Sequence, residues 1–490
     1  MPSARRFDGA AAVRLRSSTR VAAAYAVAAL TFAGCAVGPK YEKPAIHLTP
    51  FHSLATPGRA GGAPPRLDSW WRGFNDPELS RIVERALAQN LDLAAGLARV
   101  RQARAVAVQA GAQLAPALDT SVQAETIRQS LDSPAARIGS RLPGFKRDAA
   151  LYDVGVGASW EVDLFGGLRR GAEAARAEAE AAEADRLGTR VTVAAEAADA
   201  YLRIRGDQAR LSLTADQIGA DAHLLELVRL RFTKGLAADR EVAQAEALLS
   251  QARAAIQPLR IDLQAQLNRL DVLMGVQPGV FAAELSTPSD IPARPSVSAE
   301  GQPLDVLRRR PDVIAAERRV AAANARIGQS IAEYYPKVSL SGLLGFESAT
   351  PGRLFGAATY QPQAQAGLRW RLFEFGRIDA EVRQARGGEA EALARYRQSV
   401  LRAAEDVENA LTSLALIEAR QDELAREVAA LKRARDLAQS AYASGAIALT
   451  DVLDADRQLL TARDELAQTR ADAARAAVQS FRALGGGWSS

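Results

Sequence analysis

The chain is written twice. Trp160-Glu-Val-Asp-Leu-Phe-Gly166 returns 210 residues later as Trp370-Arg-Leu-Phe-Glu-Phe-Gly376. In each copy an alternating segment runs into an aromatic-glycine corner, and a long alanine-rich helical pattern follows. The same offset pairs Phe232-Thr-Lys-Gly235 with Tyr442-Ala-Ser-Gly445, Val242 with Val452, and Leu249 with Leu459. Upstream the offset is 220, pairing Asp92 with Asp312 and Pro116 with Pro336, so 10 residues are inserted between Pro116 and Trp160. A register kept across so many landmarks is a tandem duplication, and whatever the chain builds is built from two like units.

Each unit reads as strand, strand and a pair of long helices. Four segments alternate apolar and polar residues: Leu118–Thr126, Val154–Val162, Val338–Phe346 and Ala364–Leu372. Period two with one apolar face makes a half-buried strand, and roughly ten residues is the length of a transmembrane strand. A soluble sheet packed on helices alternates in the same way. If these strands cross a membrane, four cannot close a barrel, because lipid tolerates no open edge and barrels need about eight or more. Several protomers would then share one barrel, and three would supply 12 strands. Asp119, Gln123, Glu161, Gln365 and Arg369 fall on the polar faces of the first, second and fourth segments.

After each second strand a helical pattern runs without proline, from Arg169 to about Arg231 and from Arg377 to about Ala441. At 1.5 Å per residue each would be roughly 90–100 Å long. Return helices follow from Asp239 and Thr450, with Pro258 expected to kink the first. Small residues along these helices permit close antiparallel packing into a coiled-coil-like wall. Gly235 and Gly445 end the outgoing helices, and Asp239 or Thr450 is placed to start the return. Nearer the start, Asp76 is placed to cap a helix opened by Pro77, behind Trp70-Trp71. That tryptophan pair suits a packing anchor better than a ligand-stacking platform.

Charge narrows the function. The pI is near 9.4 and the net charge +5, but residues 1–34 hold five arginines against Asp8, which accounts for +4 of it. The rest of the chain is almost neutral, which argues against a nucleic-acid surface. With three histidines scattered at His47, His52 and His223 and one cysteine, Cys35, neither a disulfide nor a cysteine-built metal site can form within the chain. No phosphate loop or serine-nucleophile elbow is present. The expectation is a protein that is not an enzyme and needs no metal or cofactor.

Residues 1–34 read as a signal peptide, an arginine-rich stretch before an apolar run too short for a stable span. Phe32-Ala-Gly-Cys35 has the form of a lipobox, which makes Cys35 the candidate for a covalent lipid, the alternative being a buried free thiol. Residues 35–68 read as an extended arm, 69–276 as the first repeat, 277–303 as a linker, 304–484 as the second repeat and 485–490 as a tail.

Leu307-Arg-Arg-Arg-Pro-Asp-Val-Ile-Ala-Ala-Glu-Arg-Arg-Val-Ala-Ala-Ala-Asn-Ala-Arg-Ile-Gly328, followed by Tyr335-Pro-Lys-Val-Ser-Leu-Ser-Gly342, closely resembles the TolC-like outer-membrane efflux proteins, in particular their NodT/OprM-type lipoprotein branch. The start Cys35-Ala-Val-Gly-Pro-Lys-Tyr-Glu-Lys-Pro44, the Trp70-Trp71 segment and both glycine hairpins fit the same pattern. The resemblance implies an α+β membrane protein: a homotrimer whose 12-stranded β-barrel, four strands per protomer, continues into a long periplasmic α-helical barrel. It implies the outer membrane of a Gram-negative bacterium, a periplasmic adaptor (membrane fusion protein) at hairpin tips shaped by Gly235 and Gly445, and an inner-membrane pump of the resistance-nodulation-division (RND) type. The chain would be a passive exit duct for drugs or other small molecules, its barrel lined by the five polar residues above. Asp451 and Asp454, at i and i+3 on the second return helix, resemble the family's gate aspartates; acidic residues also simply favour a helix N-terminus. The matching positions of the first hairpin are Glu241 and Gln244, so one pair per protomer is fully acidic. The duct of a type I protein-secretion system would share the fold, and a non-channel periplasmic coiled-coil scaffold is the rival from another class.

Overall fold

The computed structural model describes residues 36–46, 48–52, 65–297 and 303–489. A 3-10 turn, Leu67–Phe74, leads into helices α1 (Pro77–Gln89) and α2 (Leu91–Ala112). Strand β1 (Ala117–Arg128), a short helix α3 (Pro134–Gly139) and strand β2 (Asp148–Val162) follow, then the helical hairpin α4 (Gly167–Thr233) and α5 (Asp239–Leu273). The second repeat gives α6 (Pro303–Arg308), α7 (Pro311–Ala332), β3 (Lys337–Ser348), β4 (Tyr360–Arg369) and the hairpin α8 (Arg377–Ala443) and α9 (Leu449–Ala483). Helix α5 runs unbroken through Pro258.

The chain divides into two compact units that cut across the repeats. Among the described residues, one comprises those up to Lys43 with Gln102–Ala179 and Arg318–Leu393; the other comprises those from Pro44 to Arg101, from Glu180 to Glu317 and from Ala394 onward. In the first, the four strands form one antiparallel sheet in the order β1-β2-β3-β4, with β1 and β4 at its edges. The duplication is visible in its hydrogen bonds. Trp160 donates its indole N–H to the Leu114 carbonyl at 3.0 Å, and Trp370 donates to the repeat-equivalent Tyr334 carbonyl at 2.9 Å. The inserted residues sit in the β1–β2 hairpin, partly as extra ladder rungs and partly as a loop carrying α3. At the corner after β2 the Asp163 carboxylate accepts from the Leu168 and Arg169 backbone N–H groups and starts α4.

The N-terminal arm docks on this corner. Val37 N–H donates to the Phe165 carbonyl at 3.0 Å, and the nearly buried Arg170 reaches the carbonyls of Val37 and Gly38. Gly38, at φ 95°, passes so close to Gly328 that a Cβ there would lie 2.4 Å from the Gly328 Cα. Only glycine fits both the angle and the approach. Cys35 itself lies outside the described residues.

The core of the second unit gathers Trp70, Trp71 and Phe74 against α1 and parts of α4, α5 and α9. Trp70 is fully buried and stacks on Phe481 at 5.4 Å. The packing-anchor reading of the tryptophans therefore holds. Asp76 caps α1 as expected, accepting from Glu78 and Leu79 N–H, and its other oxygen accepts from the Tyr201 hydroxyl at 2.7 Å. Segment 277–297 is a tied connection: the buried Asp271 holds the N–H groups of Gly279 and Phe281, and Arg294 pairs with Glu418 at 2.8 Å.

The starts of the return helices correct one expectation. Neither Asp239 nor Thr450 is the N-cap; Ala238 and Ala448 are, without a side-chain acceptor. Asp239 stands inside the first turn, where its charge meets the helix dipole, and Asp451 reaches back to the Ala448 N–H.

Candidate functional site

In the sheet, the pairing register sorts side chains onto two faces. Asp119 lies opposite Gly157, Gln123 opposite Asp153, Glu161 opposite Ser339, Gln365 opposite Ser341, and Arg369 opposite Lys337. Because residues two apart share a face, these rungs put all five sequence-derived lining residues on one side. They share it with Asp153 and Glu347 toward the hairpin-loop end, and with Lys337 toward the helix end. The other face is apolar yet open: Leu118 is 76% exposed, Val122 73%, Leu344 60% and Leu368 68%. Aromatic rings bracket it. Trp160, Trp370 and the stacked Phe165–Tyr335 pair mark the helix end, and Phe346, Phe355 and Tyr360 the loop end. From Val338 to Phe346 a strand climbs roughly 27 Å at about 3.4 Å per residue. Tilted by about 35–45°, strands of that length make an exposed apolar band roughly 20 Å tall between aromatic girdles, the outer surface of a transmembrane β-barrel. Among the described residues no helix is long and apolar enough to cross a membrane.

In the second unit, the distal ends of the helical hairpins carry the other candidates. Both tips close alike. Gly235 and Gly445 take φ of 73° and 77°, Leu236 N–H reaches the Arg231 carbonyl at 2.8 Å, and Ala446 N–H reaches the Ala441 carbonyl at 2.9 Å. These are Schellman caps, with the left-handed residue supplied by glycine. Nothing lies within 4 Å of a Cβ at either glycine. Asp451 and Asp454 are both exposed; Asp451 caps its own helix at 3.2 Å and Asp454 pairs with Arg457 at 3.0 Å.

Just behind the tips the two hairpins share a core of Leu225, Val228, Ala245 and Leu249 with Tyr442, Leu449 and Val452. The Arg231 guanidinium lies 4.5 Å above the Tyr442 ring, a cation–π contact joining α4 to α8. Arg435 on α8 pairs with Asp456 on α9 at 2.8 Å. Asp221 on α4 is buried, accepts one hydrogen bond from Gln217 at 2.7 Å, and is pushed up to about 6 by burial, with Asp456 adding to the rise. Asp221 Oδ2, Arg231 Nε, Gln244 Oε1 and the Tyr442 hydroxyl are all buried without a partner. Buried polar groups are ordinarily satisfied, so four such atoms in one stretch of the hairpins set this joint apart. Sequence reasoning missed this cluster. The one available signal was the aromatic residue kept three positions before each tip glycine, Phe232 and Tyr442.

The family model for outer membrane efflux proteins matches residues 82–276 and 303–486. The chain belongs to that family. It is 32% identical over 424 residues to the pyoverdine export outer membrane protein OpmQ of Pseudomonas aeruginosa, spanning 86% of this chain and 88% of OpmQ. It is also 32% identical over 471 residues to outer membrane protein OprJ of the same species, 94% of each chain. The solved outer-membrane channel OprN superposes with a TM-score of 0.84 at 32% identity, covering 93% of this chain and all of OprN. The resemblance read at Leu307–Gly328 is thus to the right family, and the fold is that of the trimeric TolC-like channels. As an outer membrane efflux protein the chain acts in the outer membrane as the channel of an efflux system. Its four-stranded sheet, with edges at β1 and β4, is one third of such a barrel.

Proposed function

We propose that this protein is the exit duct of a tripartite pump for small molecules, passive in itself and driven by an inner-membrane partner of the RND type through a periplasmic adaptor. The observation that carries the duct is the strand register: a polar face bearing Asp119, Gln123, Glu161, Gln365 and Arg369 backs an exposed apolar face. In a trimer β4 of one protomer pairs with β1 of the next, and the polar face becomes the bore. OpmQ is named for pyoverdine export, and that likeness favours a small-molecule cargo over a secreted protein.

The exposed tips at Gly235 and Gly445 are the surfaces offered to the adaptor. Asp451 and Asp454, repeated by threefold symmetry, form acidic rings at the periplasmic mouth that narrow it and favour cations. A lipid on Cys35 is an auxiliary anchor; the docked arm puts Ala36 against Gly166, at the corner where strands give way to helices. Conductance of the purified trimer in planar bilayers tests the reading. Wild type should give small, stable, cation-selective steps, and Asp451→Ala with Asp454→Ala should enlarge them. Unchanged conductance and selectivity in the double variant would remove the gate, and a non-conducting monomer would remove the duct. Cys35→Ser should still assemble but take up no radiolabelled lipid; labelling of that variant would refute the anchor.

A further inference from the structure

A cavity of about 900 Å³ opens in the second unit beside Trp71, Leu87 and Trp488. Among the described residues four guanidinium groups line it, and three carboxylates. Three pairs close among them: Arg66 with Asp68 at 2.6 Å, Arg72 with Glu84 at 2.6 Å, and Arg186 with Glu183 at 2.7 Å. Arg190 is the cation left over. Its Nε donates to the Gly487 carbonyl at 2.9 Å, and among the described residues it has no carboxylate partner. Trp71 and Trp488 border the cavity, but their indole N–H groups are buried and do not open onto it. A cation without an anion is a deficit that an oxyanion answers.

We propose that this cavity is a binding site for a carboxylate, seated on the Nη1/Nη2 edge of Arg190. Arg190 has five N–H donors in a planar fork, and the bond to Gly487 uses only the Nε one. One unmatched guanidinium suits one singly charged planar carboxylate; a phosphate dianion asks for a second cation, and the other three are taken. Burial, with repulsion from the neighbouring Arg186 added, holds the Arg190 guanidinium below its ordinary pKa, a cost that a bound anion relieves.

Calorimetric titration of the detergent-purified trimer, carrying a C-terminal extension so that no terminal carboxylate of the expressed chain fills the seat, tests this. The probes are benzoate against benzamide, the capped peptide acetyl-Gly-Glu-Gly-amide against its Gln counterpart, and inorganic phosphate. Saturable binding of a carboxylate probe, at least tenfold tighter than its amide partner, is expected. Whether benzoate or the peptide binds better assigns the source as a free small acid or an acidic side chain. Arg190→Gln should weaken binding at least tenfold, and Arg190→Lys, which keeps the charge but not the fork, by an intermediate amount. Should the Gln variant fail to assemble, the Lys trimer decides: affinity equal to wild type overturns the forked seat. No saturable binding in wild type, amides equal to acids, or phosphate tighter than either carboxylate would each overturn the proposal.

Discussion

Asp221 shows how much one side chain can hold in reserve. It is 2% exposed, with one oxygen bonded to Gln217, the other without a partner, and the Asp456–Arg435 pair of the second hairpin beside it. Its folded pKa of about 6 stands above the ordinary 3.8, so the folded joint binds a proton more tightly than the unfolded chain does. The sign follows from that order: the joint is most stable below about pH 4, loses stability as pH rises through 4 to 6, and carries the whole penalty above 6. A shift of that size corresponds to roughly 3 kcal/mol. Asp221→Asn keeps the shape and removes the charge. It should raise the protection of the distal hairpins at pH 7.5, measured by hydrogen exchange corrected for intrinsic rates, and flatten the change between pH 7 and 5. A variant with the wild-type pH profile would show that another group sets it.

At the scale of elements, the shared tip core decides how firmly the hairpins hold together. Tyr442 is its largest member, packed under Arg231 with its hydroxyl unpaired. Tyr442→Ala should cost about 3–5 kcal/mol by opening a cavity and speed protease cutting at the tips. Tyr442→Phe removes only the unpaired hydroxyl and should be neutral or stabilising by up to about 1 kcal/mol; faster cutting of the Phe variant would mean that the hydroxyl has a partner in the trimer. The same elements divide what could be read from the chain from what could not. Corners and tips were legible because Trp160/Trp370 and Gly235/Gly445 carry their geometry within a few residues and appear twice. The strand faces were legible because period two is local. The joint was not, since Asp221 and Gln244 look like ordinary polar helix positions until another hairpin covers them. The caps were misread for a related reason. Asp239 and Thr450 have the right chemistry, but the Schellman turns fix where each return helix begins, and that point falls at Ala238 and Ala448.

For the whole molecule, the two faces of the sheet make opposite demands. Val122→Arg would place a charge in the apolar band, at a cost of about 2–4 kcal/mol near its middle, and should reduce the yield of membrane-inserted trimer. Gln123→Arg, one residue on, lies on the opposite, polar face proposed to line the bore; it should assemble normally and shift selectivity toward anions in bilayer recordings. Equal damage from both would mean that the sheet does not separate lipid from water. The duplication has a further consequence for what meets the far end. Three copies of a doubled chain present six hairpin tips that alternate in kind: Gly235 tips followed by Glu241 and Gln244, and Gly445 tips followed by Asp451 and Asp454. A three-membered partner can select one kind and ignore the other. A six-membered ring must either tolerate both or adopt alternating conformations, so if an adaptor docks at these tips as proposed, counting its subunits on the assembled channel would reveal whether its docking surface is selective or permissive.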